Sequence, residues 1–253
     1  AAAVVAAVAV VLTGSGGSEP VPIADPPAAA GTPSGVPAPG VPDARTVLRL
    51  AATAALAQPF TEPRADQFLY LETVYDGHTR QDWLSMDGTH DGLVATMGAD
   101  PGVPVPGCRD GRRAVVRGTT VGPGTEPCEP DPAYLPDLPT DATAMGLHLR
   151  AMGGHPGTNS WAKNAAELGL HHYLRPAARA ALYQAAAEID GVTVVPGVTD
   201  GAGRPGTGIR WTHGGTGPGV TMVFDPTTHL FLGFQDGDAL VKAVVVDAVG
   251  DTA

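Results

Sequence analysis

Apolar side chains recur at three- and four-residue spacing through Val47, Leu50, Ala51, Ala54 and Ala55, behind Asp43 and ahead of Pro59. That spacing predicts an amphipathic helix, with the Asp43 carboxylate accepting from the free amides of its first turn. The period then changes. Residues 67–75 (QFLYLETVY) are dense in aromatic and β-branched side chains and predict a strand. Asp76-Gly77 predicts a tight turn, and residues 81–86, around Trp83, a partner strand. Asp87-Gly88 turns the chain again toward a third strand at residues 93–97. Connections this short predict antiparallel neighbours.

Residues 99–139 are Gly- and Pro-rich and predict an irregular excursion with one short strand, at residues 114–119. Helical periodicity returns after Thr140 or Asp141, through Met145, Leu147 and Leu149, and again over residues 161–173. Pro176 suits the first turn of a third helix, residues 177–189, which Gly191 stops. Five more strands are predicted at residues 192–198, 208–213, 219–224, 229–234 and 239–249, with Asp225-Pro226-Thr227-Thr228 as a hairpin turn. Strands and helices in separate runs predict an α+β fold. The expected architecture is a curved antiparallel sheet covered by a helical insertion at about residues 140–190. The strict alternation of a doubly wound fold is missing.

Ahead of this domain, residues 1–12 (AAAVVAAVAVVL) are uncharged and apolar. A membrane span needs about 20 such residues. The run is therefore expected to be the outer end of a truncated transmembrane segment. A signal peptide cleaved after its apolar region and a buried or disordered Ala-rich end are the alternatives. A lipoprotein signal would place cysteine where Ser15 stands. Residues 13–43 hold eight prolines and almost no large apolar side chain. Such chain cannot bury enough surface to offset its ordering entropy, so a disordered, semi-rigid linker is expected. Residues 44–253 remain as a single exported domain, long enough to bury a sizeable core.

Charge narrows the partners. The chain carries 26 Asp and Glu against 15 Lys and Arg, for a net charge of -11. No basic cluster exceeds Arg109, Arg112, Arg113 and Arg117, so nucleic acid, whose binding rests on neutralised phosphates, is not an expected partner. Cys108 and Cys128 both lie in turn-rich chain, where a buried structural thiol is out of place. In an oxidising compartment they pair into a structural disulfide, a loop closure contributing about 3 kcal/mol. They lack the C-x-x-C spacing of a redox pair.

Catalytic and cofactor motifs are scarce. Residues 201–206 (GAGRPG) match G-x-G-x-x-G, but Pro205 and the strand-like residues after it replace the helix a pyrophosphate needs. A hairpin loop is the better reading. There is no P-loop, no H-E-x-x-H and no G-x-S-x-G. His171 and His172 are adjacent, which on a helix places them about 100° apart, so one exposed and one half-buried imidazole are expected rather than a metal site. Residues 87–92 (DGTHDG) lack the alternating carboxylates and closing glutamate of a calcium loop. Phe68, Tyr70, Tyr75 and Trp83 are candidates to line a concave ligand-binding face, with ordinary sheet core as the competing account. No cofactor, metal or catalytic residue is expected.

The stretches ADQFLYLETVYDG, CRDG with CEPDPAYLPDLPTD, YLRPAARAALYQAAAEIDGV and FDPTTHLFLG, in that order, resemble a family of uncharacterised actinobacterial proteins. Members carry one transmembrane helix and an exported domain, and the resemblance covers about residues 44 to 250. It implies a cell-membrane protein with its folded domain outside the cytoplasm, or a secreted one. At fold level the order of elements is similar to envelope lipoprotein carriers and periplasmic sigma-regulator sensors, whose half-barrels bind lipid-bearing ligands. The implied function is a non-enzymatic, membrane-tethered binding or sensor domain for a lipid, lipopeptide or peptide. A regulatory protein–protein module of an envelope-stress (sigma/anti-sigma) circuit, partnered by a membrane protein, is the alternative. A hydrolase without a recognisable motif, drawing on Asp and His residues of the turns between 76 and 92, Asp87 and His90 among them, is the third reading.

Overall fold

Asp43 caps the first helix, α1 (Ala44–Leu56), with its carboxylate accepting from the Thr46 amide at 3.0 Å and the Thr46 hydroxyl at 2.8 Å. The structure is a computed structural model that describes residues 42–96, 99–153, 158–211 and 219–252. The predicted membrane segment and nearly all of the predicted linker lie outside these residues. Among the described residues no helix is long and apolar enough to cross a membrane.

After α1 the chain forms an antiparallel meander of β1 (Phe68–Tyr75), β2 (His78–Ser85), β3 (Gly92–Thr96) and β4 (Ala99–Val105). Asp76 and Gly77 take φ of 49° and 73°, two left-handed residues that match the twist of the β1–β2 hairpin. A separate two-stranded hairpin follows, β5 (Arg112–Arg117) and β6 (Thr120–Pro127). Three helices come next, α2 (Ala142–Ala151), α3 (Thr158–His171) and α4 (Pro176–Ala187). The chain then returns through β7 (Val192–Thr199), β8 (Pro205–Trp211), β9 (Thr221–Phe224), β10 (Phe231–Phe234) and β11 (Ala239–Val246). The result is an α+β fold with one open, nine-stranded antiparallel sheet ordered β4-β3-β2-β1-β11-β10-β9-β8-β7.

Strands β4 and β6 correct the expectation of a single strand in the 99–139 excursion. Both carry two prolines, Pro101 and Pro104 in one and Pro123 and Pro127 in the other. Proline lacks the amide that a central strand must donate, so it reads as loop; β4 tolerates it at the sheet edge and β6 in a hairpin with a free side. The ends of the strands expected at 93–97 and 208–213 fall on residues outside those described. Cys108 and Cys128 close the base of the β5–β6 hairpin at disulfide distance, with Cα atoms 5.9 Å apart.

The largest core cluster joins all four helices to Ile209, Trp211, Met222 and Phe224 on β8 and β9. Alanines dominate the α1–α4 contact, among them Ala51, Ala52 and Ala55 on one side and Ala178, Ala181 and Ala185 on the other. Small side chains let two helix axes approach closely. At the other end of the sheet, the two-residue period splits β1 and β2 between faces. Leu69, Leu71 and Leu84 pack with Met86, Ala133 and Tyr134 on one face, whereas Phe68, Tyr70 and Trp83 pack with Val246 on the other.

The two halves of the sheet meet at a thin seam. Strands β10 and β11 share a single register pair, Gly233 with Ala239. The β7–β8 loop reinforces it: Arg204 donates from Nη2 to the carbonyls of Leu232 on β10 (2.7 Å) and Leu240 on β11 (2.8 Å). Its Nε donates to Oδ2 of Asp200 at 2.7 Å, and Asp200 is buried and also accepts from the amides of Ala202 and Arg204. The G-x-G-x-x-G match is thus the hairpin loop at this seam. Gly201 is there because a Cβ would run into the Gly237 carbonyl.

Candidate functional site

Strand β2 alternates Arg80, Asp82 and Leu84 on the face that carries Leu69 and Leu71. With neither neighbour polar at its own register, Asp82 enters an apolar layer. It is buried, with its side chain only 4% exposed, and accepts from Arg80 Nε at 2.8 and 3.0 Å. Burial pushes its carboxyl up, against the Arg80 guanidinium and the His171 imidazole, which pull it down.

Asp82 lies at the floor of a cleft of about 460 Å3. One wall is the approach to the disulfide, residues 105–108, and the opposite wall is its exit, residues 129–133. Segment 131–134 is held by main-chain bonds, from the Ala133 amide to the Ser85 carbonyl (2.9 Å) and from the Tyr134 amide to the Met86 carbonyl (3.2 Å). The third side is the end of α3, where Glu167 and His171 lie one turn apart, 4.0 Å between Oε1 and Nε2. Tyr173 ties this end to the second wall through its amide and the Ala133 carbonyl, 2.8 Å.

Both histidines of the 171–172 pair line the cleft, and both are half-buried. This departs from the expected split of one exposed and one half-buried ring. The helix ends at His171, so the 100° step between helical neighbours no longer applies to His172. The Nδ1 atom of His172 is buried without a hydrogen-bond partner among the described residues. Burial pushes this imidazole below its ordinary value of 6.5, while Asp131 and Glu167 pull it back up. The ring is therefore neutral in the folded protein at pH values where the unfolded chain takes up a proton. Its contribution to stability is present above pH 6.5 and lost as pH falls below it. Urea unfolding at a series of pH values between 7 and about 5 is expected to show this decline, and His172→Gln to flatten it.

The turn below the cleft, residues 87–90, is a hydrogen-bond knot on Asp87. Its Oδ1 accepts from Ser85 Oγ (3.0 Å), the Thr89 amide (2.8 Å) and Thr89 Oγ1 (2.8 Å), and sits 3.2 Å from His90 Nδ1. Burial pushes Asp87 up, but the bonds from Thr89, His90 and Ser85 together hold it below its ordinary value. A carboxylate so committed is a weak base. Ser85 bonds Asp87 directly and makes no bond to the His90 ring among the described residues, which is the geometry of a turn and not of a nucleophile with its base. Gly88 has φ of 74°, and a Cβ there would strike the main chain of Asp131, so the turn is pressed against the second wall. Asp91 is also engaged, accepting from the Gly107 amide at 2.9 Å and pairing with Arg109.

The four aromatic candidates lie elsewhere. Phe68, Tyr70 and Trp83 come together, 8%, 0% and 5% exposed, on the opposite face from the cleft; Tyr75 stands apart at the hairpin end, exposed. The Tyr70 hydroxyl donates to Glu72 (2.6 Å) and accepts from Gln81 (2.7 Å); burial, with the Glu72 carboxylate, pushes it up to about 12. Trp83 Nε1 donates to the Asp251 carbonyl at 2.7 Å. The cleft itself has no aromatic ring apart from its histidines. Among the described residues no three His, Cys, Asp or Glu side chains converge as a metal site would require.

Sequence reasoning missed the Asp82–Arg80 pair and its union with His171 and His172. One signal was present: Trp83 and Leu84 point to opposite faces, so both faces of β2 are covered and Asp82 between them cannot lie on a fully solvated face.

Fold and site together define an α+β domain with an open antiparallel sheet and a charged cleft at the sheet's meander end. Comparison with protein-family models, with curated proteins and with solved structures finds no match for this chain.

Proposed function

We propose that the chain is an extracytoplasmic binding domain whose cleft takes a small polar ligand. The observation that carries this reading is the buried Asp82 at the cleft floor. A carboxylate buried in an apolar layer costs several kcal/mol of desolvation, and the half-exposed Arg80 guanidinium offsets this only in part. Perturbed ionisable groups gathered in a cleft are a functional signature.

The half-barrel-like curvature of the sheet and its cover by the 140–190 insertion belong to the same proposal, as does tethering through residues 1–12 and the 13–43 linker. In that arrangement the cleft faces an oxidising compartment, where the cysteine pair persists. The lining favours a polar ligand over an acyl chain: Arg80, Asp82, His171 and His172 would lose hydration against hydrocarbon without gaining a partner.

A ligand-observed NMR screen of polar small molecules and fatty acids tests this. Polar hits are expected that weaken at least about tenfold on the paired change Arg80→Gln/Asp82→Asn, the loss of one charge-assisted contact to the Arg80 guanidinium. Binding of fatty acids alone, or hits indifferent to Arg80→Gln/Asp82→Asn, would count against the cleft.

A further inference from the structure

The cleft offers unspent hydrogen-bonding groups of both signs. Arg80 uses Nε on Asp82, and its Nη groups have no partner among the described residues, although its side chain is 48% exposed. The guanidinium therefore keeps a free edge at the floor, and a fork of two donors is the geometry that takes a carboxylate. Glu129, Asp131 and Glu167 stand exposed around the mouth, and among the described residues their only ion pair is the 4.0 Å approach of Glu167 to His171. The lining also carries small apolar surfaces, Leu84 two residues from Asp82 on β2, Val105 and Pro106 on one wall and Pro132 on the other. A purely anionic ligand would meet the mouth carboxylates, and a purely cationic one would leave the Arg80 fork unfilled. The volume, about 460 Å3, suits a molecule larger than one functional group and far smaller than a folded partner.

We propose that the cleft binds a zwitterion of amino-acid or short-peptide chemistry. Its carboxylate lies on Arg80, its ammonium group faces Asp131 and Glu167 at the mouth, and a small apolar side chain rests against the apolar lining. This inference rests on the cleft being the binding site.

The test is a titration of the full domain followed by the imidazole NMR signals of His171 and His172. The probes are L-alanyl-L-alanine, its N-acetyl and C-amide derivatives, putrescine, succinate and glucose. The free dipeptide is expected to shift both signals, and each blocked form to bind at least about tenfold more weakly. The paired variant Arg80→Gln/Asp82→Asn leaves no unpaired buried charge, and is expected to abolish discrimination against the C-amide while keeping that against the N-acetyl form. Asp131→Asn/Glu167→Gln is expected to do the reverse. Equal binding of free and blocked dipeptides would overturn the proposal. A response to putrescine, succinate or glucose without one to the dipeptide would overturn it and leave the cleft reading standing. No response to any probe would overturn both.

Discussion

Arg204→Ala is expected to lower the free energy of unfolding by about 3–5 kcal/mol, the cost of stranding a buried carboxylate by removing its partner. Asp200 has no exposed side-chain surface, and Arg204 is its ion-pair partner, at 2.6 Å. The same guanidinium bridges Leu232 and Leu240 across the β10–β11 seam, so its loss also leaves two strand carbonyls short of a donor where the ladder is thinnest. Arg204→Lys keeps the charge but not the planar fork, and is expected to cost less, about 1–2 kcal/mol. Asp200→Asn removes the buried charge itself and is expected to fall below Arg204→Ala. Urea denaturation of the three variants gives the order; a loss under about 1 kcal/mol for Arg204→Ala would show that the loop does not secure the seam.

Removal of the disulfide, as Cys108→Ser/Cys128→Ser, is expected to cost about 3 kcal/mol by the loss of loop closure over a sequence separation of 20. The consequence is local as well as global. Cys108 lines the cleft, and the chain leaving Cys128 becomes the opposite wall within three residues. Reduction therefore loosens both walls together, and ligand affinity is expected to fall with it. Thermal unfolding of wild-type protein with and without a thiol reductant should reproduce the shift of the double-serine variant. Equal midpoints under both conditions would mean that the two cysteines do not pair in solution.

Much of the fold was legible because local signals agreed with the tertiary ones. Asp43 caps α1, Asp76-Gly77 turns β1 into β2, and Pro176 opens α4, each by a mechanism confined to a few residues. Strands β4 and β6 were hidden because proline and glycine signal loop wherever a strand needs no donor on one side. The site was hidden for a different reason. Its members come from β2, the two chains flanking a disulfide and the end of α3, from Arg80 to His172, and no spacing rule connects them. The aromatic cluster was visible as a group but belongs to the other face, because a one-residue step along β2 exchanges Asp82 for Trp83. The glycine motif was visible too, and its glycine and arginine serve the seam.

A crystal structure of the domain with the tightest ligand from the polar screen is the decisive experiment. Ligand density is expected in the cleft, hydrogen-bonded to the Nη groups of Arg80. Density on the Phe68–Tyr70–Trp83 face, with the cleft filled by the chain's own side chains, would contradict the cleft as the binding site.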